Sequence, residues 1–206
     1  MRRSDGEVVL EWPLSNHIIT AGWTYNDGSA HRALDFRAGI GTPVYASESG
    51  TVDQVQYWNG KSKTGMQSYG NMVRIRHNPY KGKILQTRYA HLKTIFVKNG
   101  QTVNEGDLIG YSGETGNCYG AHLHYEVLYN GTRVNPLSWL DKNFTTANAS
   151  VAKHLGSYQS IEREKGSAPS SGDYIKIHAT GSDMVKLLEL CNSLKLTYTR
   201  SESWGD

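Results

Sequence analysis

Cysteine is nearly absent from this 206-residue chain: Cys118 and Cys191 are the only two. They are too few for a disulfide framework and lack metal-type spacing, so both are expected as free thiols. Proline is equally scarce, at 5 residues. No apolar run approaches the roughly 18 to 20 residues needed to cross a bilayer, which excludes a helical membrane span. Charge of one sign is also missing. The 22 Lys and Arg against 19 Asp and Glu leave a net charge of +3, and no basic block or aromatic-interleaved basic stripe accompanies it, so nucleic acid is not an expected partner. The N-terminus opens Met1-Arg2-Arg3 and reaches only three apolar residues after Ser-Asp-Gly-Glu. A secretory signal peptide is therefore not expected.

Glycine is plentiful at 22 residues, about 11% of the chain against a usual share of roughly 7%, and it comes with 13 Tyr and 5 Trp. That mixture predicts a mainly β protein of short strands and tight turns. From Leu10 to about Leu140 the apolar residues alternate with period two. In 72 to 77, Val73, Ile75 and His77 share one face; in 84 to 91, Leu85, Thr87, Tyr89 and His91 do, with 78 to 83 as a hairpin loop. Residues 122 to 129 form another strand, and Asn130-Gly131 suits a type I′ turn into Thr132-Arg133-Val134. Composition shifts after Trp139. We expect a domain over 1–140, a linker over 141–172 with a short helix near Val151 to Leu155, and a small α/β appendage over 173–206 with strands around Tyr174–His178 and Leu196–Thr199. About 34 residues cannot bury a core unaided, so this appendage is expected to dock, to bind a surface or to self-associate.

Eight histidines are present, and three short patterns hold chemistry. These are HRALD (31 to 35), YAHL (89 to 92) and HLH (122 to 124). Singly they mean little, since H-x-x-x-D and H-x-H are each expected by chance in roughly a quarter to a third of chains of this composition. Together they mean more. On a strand His122 and His124 project from one face, so one can bind a metal while the other acts on what the metal binds. His31, Asp35 and His124 would make a three-ligand set that leaves a fourth tetrahedral position open, the pattern of catalytic rather than structural zinc.

The runs GWTYNDGSAHRALDF, GTPVYASESGTV, YGNMVRIRH, TRYAHL, VKNGQTVNEGDLIGYSGETG and AHLHYEV, followed by VNPLSWL, resemble in order the lysostaphin-like zinc endopeptidases, which cleave peptide cross-links of bacterial cell walls. The resemblance covers about residues 12 to 140. It implies a twisted antiparallel sheet with an open active-site groove, and one Zn2+ per chain held by His31, Asp35 and His124. It implies His91 and His122 as catalytic histidines, Tyr25 as a transition-state donor, and peptidoglycan as the partner. Ala33 departs from the glycine common in the family, which a negative φ would accommodate. Water activated by zinc would attack the scissile amide, with His122 preferred as general base and His91 as donor to the oxyanion or the leaving amine.

Glu126 lies on the histidine face and is read as a carboxylate supporting the ligands rather than as a ligand. His17 and His77 are read as structural. Trp23, Tyr57, Trp58, Tyr69 and Tyr119 are candidates for lining a peptide groove. A biotinyl- or lipoyl-type carrier is the competing reading of the Gly-rich stretch 97 to 116, but it leaves the site residues unexplained. A catalytically silent wall-binding or activating relative is the other, though the ligand set is complete. With no signal peptide expected, a wall hydrolase of this kind is expected to be a phage lysin made in the host cytoplasm, the alternative being a mature domain cut from a precursor.

Overall fold

The structure, a computed structural model, describes residues 10–140 and 143–155. The expected appendage at 173–206 and most of the linker lie outside the described residues. The strands are β1 (Ile18–Ala21), β2 (Leu34–Arg37), β3 (Pro43–Tyr45), β4 (Gly50–Gln56), β5 (Asn71–His77), β6 (Leu85–Ile95), β7 (Thr102–Val103), β8 (Leu108–Ser112), β9 (His122–Tyr129), β10 (Thr132–Val134) and β11 (Thr145–Thr146); α1 spans Ala149–Leu155. The main path of the sheet runs β11-β1-β2-β9-β6-β5-β4-β7, open at both ends, with β10 on β9 and β8 joining β3 to β6. Pairing is antiparallel except between β1 and β11. No helix among the described residues is long and apolar enough to cross a membrane.

Both expected hairpins form. β5 and β6 pair across the 78-to-83 loop, and Asn130 (φ 52°) with Gly131 (φ 79°) turns β9 into β10 as a type I′ turn requires. The alternation of β9 splits its side chains cleanly. Leu123, Tyr125 and Val127 enter the core with Leu34 and Phe36 of β2, Val73 and Ile75 of β5 and Tyr89 of β6, leaving His122, His124 and Glu126 on the opposite face.

β6 departs from the simple reading. It is buried on both faces from Leu85 to Leu92, because its second face is covered at the site end rather than wetted. Its partner also changes. Residues 85 to 90 pair with β9, while Leu92, Thr94 and Ile95 pair with β8. The joint is His91, whose φ is +59°. Strict alternation puts His91 beside Tyr89 on the core face; the left-handed backbone instead turns its ring toward the β9 histidines, 4.9 Å from His122 and 5.6 Å from His124 between centroids.

The segment after residue 142 belongs physically to the sheet's body. β11 pairs with β1, and Val151 and Leu155 of α1 are buried in the same core. A Cβ on Gly22 would meet Leu155 Cδ2 at 2.9 Å, so α1 seats directly on the backbone leading to His31.

Candidate metal centre

β2 and β9 are neighbours with Asp35 opposite His124. His31 reaches the same point from the loop before β2, helped by Arg32 at φ +59°. Ala33 is fully buried and keeps a negative φ, so its methyl is accommodated. The outcome is a compact triangle of donor atoms. His31 Nε2 lies 3.2 Å from Asp35 Oδ1 and 3.2 Å from His124 Nδ1, and His124 Nδ1 lies 3.0 Å from Asp35 Oδ1. A tetrahedral zinc with bonds near 2.0 to 2.1 Å needs ligand–ligand edges of about 3.3 Å. The three atoms therefore suit one small cation, and these residues are a group that could hold one.

Each ring is locked through its far nitrogen. His31 Nδ1 donates to the Gly22 carbonyl (2.7 Å), His91 Nδ1 to Thr115 O (2.8 Å) and His122 Nδ1 to Gly120 O (2.8 Å). His124 Nε2 faces Glu126 Oε1 at 3.3 Å. Partners of this kind fix tautomer and ring orientation, so that Nε2 of three rings and Nδ1 of His124 face the common space. His122 Nε2 is 3.6 Å from Asp35 Oδ1. His91, His122 and His124 form a second group with converging nitrogens.

The electrostatics set His124 and His91 apart. Burial works against ionisation of Asp35, yet its hydrogen bonds to His124 and His31 hold its carboxyl well below the usual range. Burial also opposes a charged His124, but Asp35 and Glu126 outweigh it and push it up to about 9. Burial, then His124 and His122, push His91 down to about 4. Tyr25 stacks on His31 (4.3 Å between centroids) and is pushed up to about 12 by burial, Asp35 and Asp27, so its hydroxyl remains a donor.

The six proposed ligand and catalytic residues line one cleft of about 860 Å³, together with Tyr69, Tyr119 and Arg133. Trp23, Tyr57 and Trp58 are not among its lining residues. His17 stacks on Trp12 and donates to Asn143 O, and His77 is buried against Ser49 O and Thr87; both are structural. Cys118 is a free, buried thiol donating to Gly120 O. Sequence reasoning read Glu126 as a supporting carboxylate but missed the partners that hold it beneath His124. Glu126, fully buried, accepts from Arg88 Nη1 (2.6 Å), Tyr69 Oη (2.9 Å) and Arg133 Nη1 (3.2 Å). Only the i, i+2, i+4 spacing of His122, His124 and Glu126 hinted at it.

The loops framing the cleft touch. A Cβ on Gly116 would collide with the Gly70 amide and the Ser68 carbonyl, and one on Gly70 with Thr115; both glycines also have positive φ. Glycine is required at each.

Residues 29–136 match the family described as Peptidase family M23. The chain is 43% identical over 108 residues to Vibrio cholerae "Peptidoglycan DD-endopeptidase ShyC", covering 52% of this chain and 22% of that protein. Among solved structures it is similar to a zinc-containing peptidase from V. cholerae (31% identity, TM-score 0.53, 66% of this chain and 44% of that one). It is likewise similar to the solution structure of lysostaphin (28%, TM-score 0.53, 70% and 58%). The chain spans only about a fifth of the length of the first curated relatives it matches.

Proposed function

Because the chain belongs to peptidase family M23, we propose that it is a zinc-dependent endopeptidase that hydrolyses peptide cross-links or stem peptides of bacterial peptidoglycan. The observation that carries this reading is the donor triangle of His31, Asp35 and His124, with edges of 3.0 to 3.2 Å. These three residues would hold the metal. Zinc bound there supplies a Lewis acid for the scissile carbonyl and makes water a nucleophile near neutral pH. The remaining work belongs to side chains. His122, anchored through Nδ1, presents a bare Nε2 beside Asp35 and accepts the proton of the attacking water. His91, anchored on Thr115, presents a second acceptor beside it, through which that proton moves to the departing amine. Tyr25 keeps its hydroxyl proton and donates to the developing oxyanion.

A silent wall-binding module would not need two anchored histidines next to a complete ligand set. The finer form of the proposal, lysis by a phage lysin, is tested by turbidity loss of bacterial walls exposed to the purified protein. The central test is metal content beside turnover. Wild type should carry one zinc per chain; His31→Ala and Asp35→Ala should lose it, whereas His91→Ala and His122→Ala should keep it and lose at least ~100-fold in turnover. Unimpaired wall hydrolysis by His122→Ala would sink the proposal.

A further inference from the structure

We propose that Arg133 forms a carboxylate subsite in the cleft, selecting peptides that carry a free carboxylate close to the scissile bond. This rests on the peptidase reading above. Its basis is a charge imbalance beneath His124. Glu126 is one carboxylate facing two guanidinium groups. Arg88 alone satisfies it as an ion pair: the contact is 2.6 Å, and the side chains are 9% and 0% exposed. Arg133 is a surplus cation. Among the described residues its one hydrogen bond is from Nη1 to Glu126 Oε1 at 3.2 Å, and a guanidinium has five N–H donors. Its side chain is 36% exposed and lines the cleft.

The nearby acids do not compensate. Asp35 is engaged with the histidines, and Asp27, the other acid lining the cleft, accepts from the Ser29 amide and hydroxyl. A planar fork with spare donors on a residue that lines the cleft is matched by a carboxylate better than by an amide.

Position fixes which carboxylate. Arg133 Nη1 and His124 Nε2 reach the same Glu126 oxygen, at 3.2 and 3.3 Å, so they lie no more than about 6.5 Å apart. An extended peptide advances roughly 3.5 Å per residue. Nε2 is the nitrogen of His124 turned away from the donor triangle, so the group recognised is on one of about three residues flanking the bond cut.

The probe is a pair of synthetic stem peptides, identical except that this flanking carboxylate is free in one and amidated in the other. Binding to zinc-loaded wild type, Arg133→Gln and Arg133→Lys is measured by calorimetry, and cleavage is followed in parallel. Wild type should bind the free acid about tenfold more tightly than the amide. That ratio should fall to near one in Arg133→Gln and be reduced severalfold in Arg133→Lys, which retains charge but loses the fork. Zinc content separates this role from positioning of His124, because a subsite residue leaves it unchanged. A wild-type protein that binds both peptides alike, or neither, overturns the proposal; so does Arg133→Gln weakening both equally. Arg133-dependent discrimination without cleavage of either peptide leaves the subsite standing and defeats the peptidase reading, whereas cleavage without discrimination does the reverse. Should Arg133→Gln not fold, the wild-type ratio and Arg133→Lys decide.

Discussion

Replacing Glu126 by Gln removes one negative charge and almost no volume from the support of His124. In the wild type this carboxylate is fully buried and accepts from His124, Tyr69, Arg88 and Arg133. Burial raises its pKa, but the His124 hydrogen bond and the Arg88 charge outweigh that and hold it at about 2. Gln still accepts through one oxygen but leaves Arg88, nearly as buried, without a counter-charge. Breaking a buried ion pair at one end costs about 3 to 5 kcal/mol, and the residual acceptor puts this case near the lower end. For a domain of this size ~3 kcal/mol corresponds to a fall in Tm of roughly 6 to 12 °C. Urea unfolding in the presence of chelator reads this loss apart from any metal. Adding Arg88→Met should then recover stability, since it removes the orphaned cation. Metal competition with a chromophoric chelator should separately show affinity reduced about 10- to 100-fold, as expected when a ligating histidine loses its orienting carboxylate. A loss under 1 kcal/mol for Glu126→Gln, with the double variant less stable than the single, would refute the reasoning.

His91→Gly should be more stable than His91→Ala by about 1 kcal/mol, both being inactive, because both lose the same ring and only Ala keeps a Cβ at φ +59°; equal unfolding midpoints would count against backbone strain. Leu155→Ala should destabilise the domain by about 2 to 5 kcal/mol, as burial of that side chain against the Gly22 segment requires, and a change under 0.5 kcal/mol would show that α1 is not part of the cooperative unit. His77 has a pKa lowered mainly by burial, so the unfolded chain binds the proton more readily and its contribution to stability is lost as pH falls below about 6.5. In His77→Gln the slope of the urea midpoint against pH below 6.5 should be shallower than in wild type; parallel slopes would dismiss this linkage.

What could be read in the sequence was whatever local periodicity encodes. The strand at 122 to 129, its Asn130-Gly131 turn and the 72-to-91 hairpin follow from alternation and turn chemistry, and with them the common face of His122 and His124. The register that sets Asp35 opposite His124 is a long-range pairing that periodicity does not encode; the ligand chemistry of His31, Asp35 and His124, and then the family resemblance, placed the two residues in one site. Neither source foresaw the partners of Glu126: Arg88 and Arg133 reach it through the β6–β9 and β9–β10 pairings, and Tyr69 joins them from the turn before β5. The segment at 143 to 155 looked like linker because two strand residues and seven helical ones are too few to show a period. Its contribution is tertiary: one parallel pairing and two buried side chains.

His91 shows why alternation failed where function is most concentrated. β6 must pair with β9 along one half and with β8 along the other, and the loop joining β8 to β9 carries Asn117, Tyr119 and Gly120 around the cleft. A strand that kept its pleat through this fork would send residue 91 into the core beside Tyr89. The left-handed residue costs on the order of 1 to 2 kcal/mol, offset by a strand buried on both sides and by the hydrogen bond from His91 to Thr115. One conformational change thus does two things that cannot be separated: it lets the sheet divide beside the cleft, and it turns a core position into one that faces the cleft. Periodicity in the sequence cannot report such a residue, because its placement depends on breaking the period.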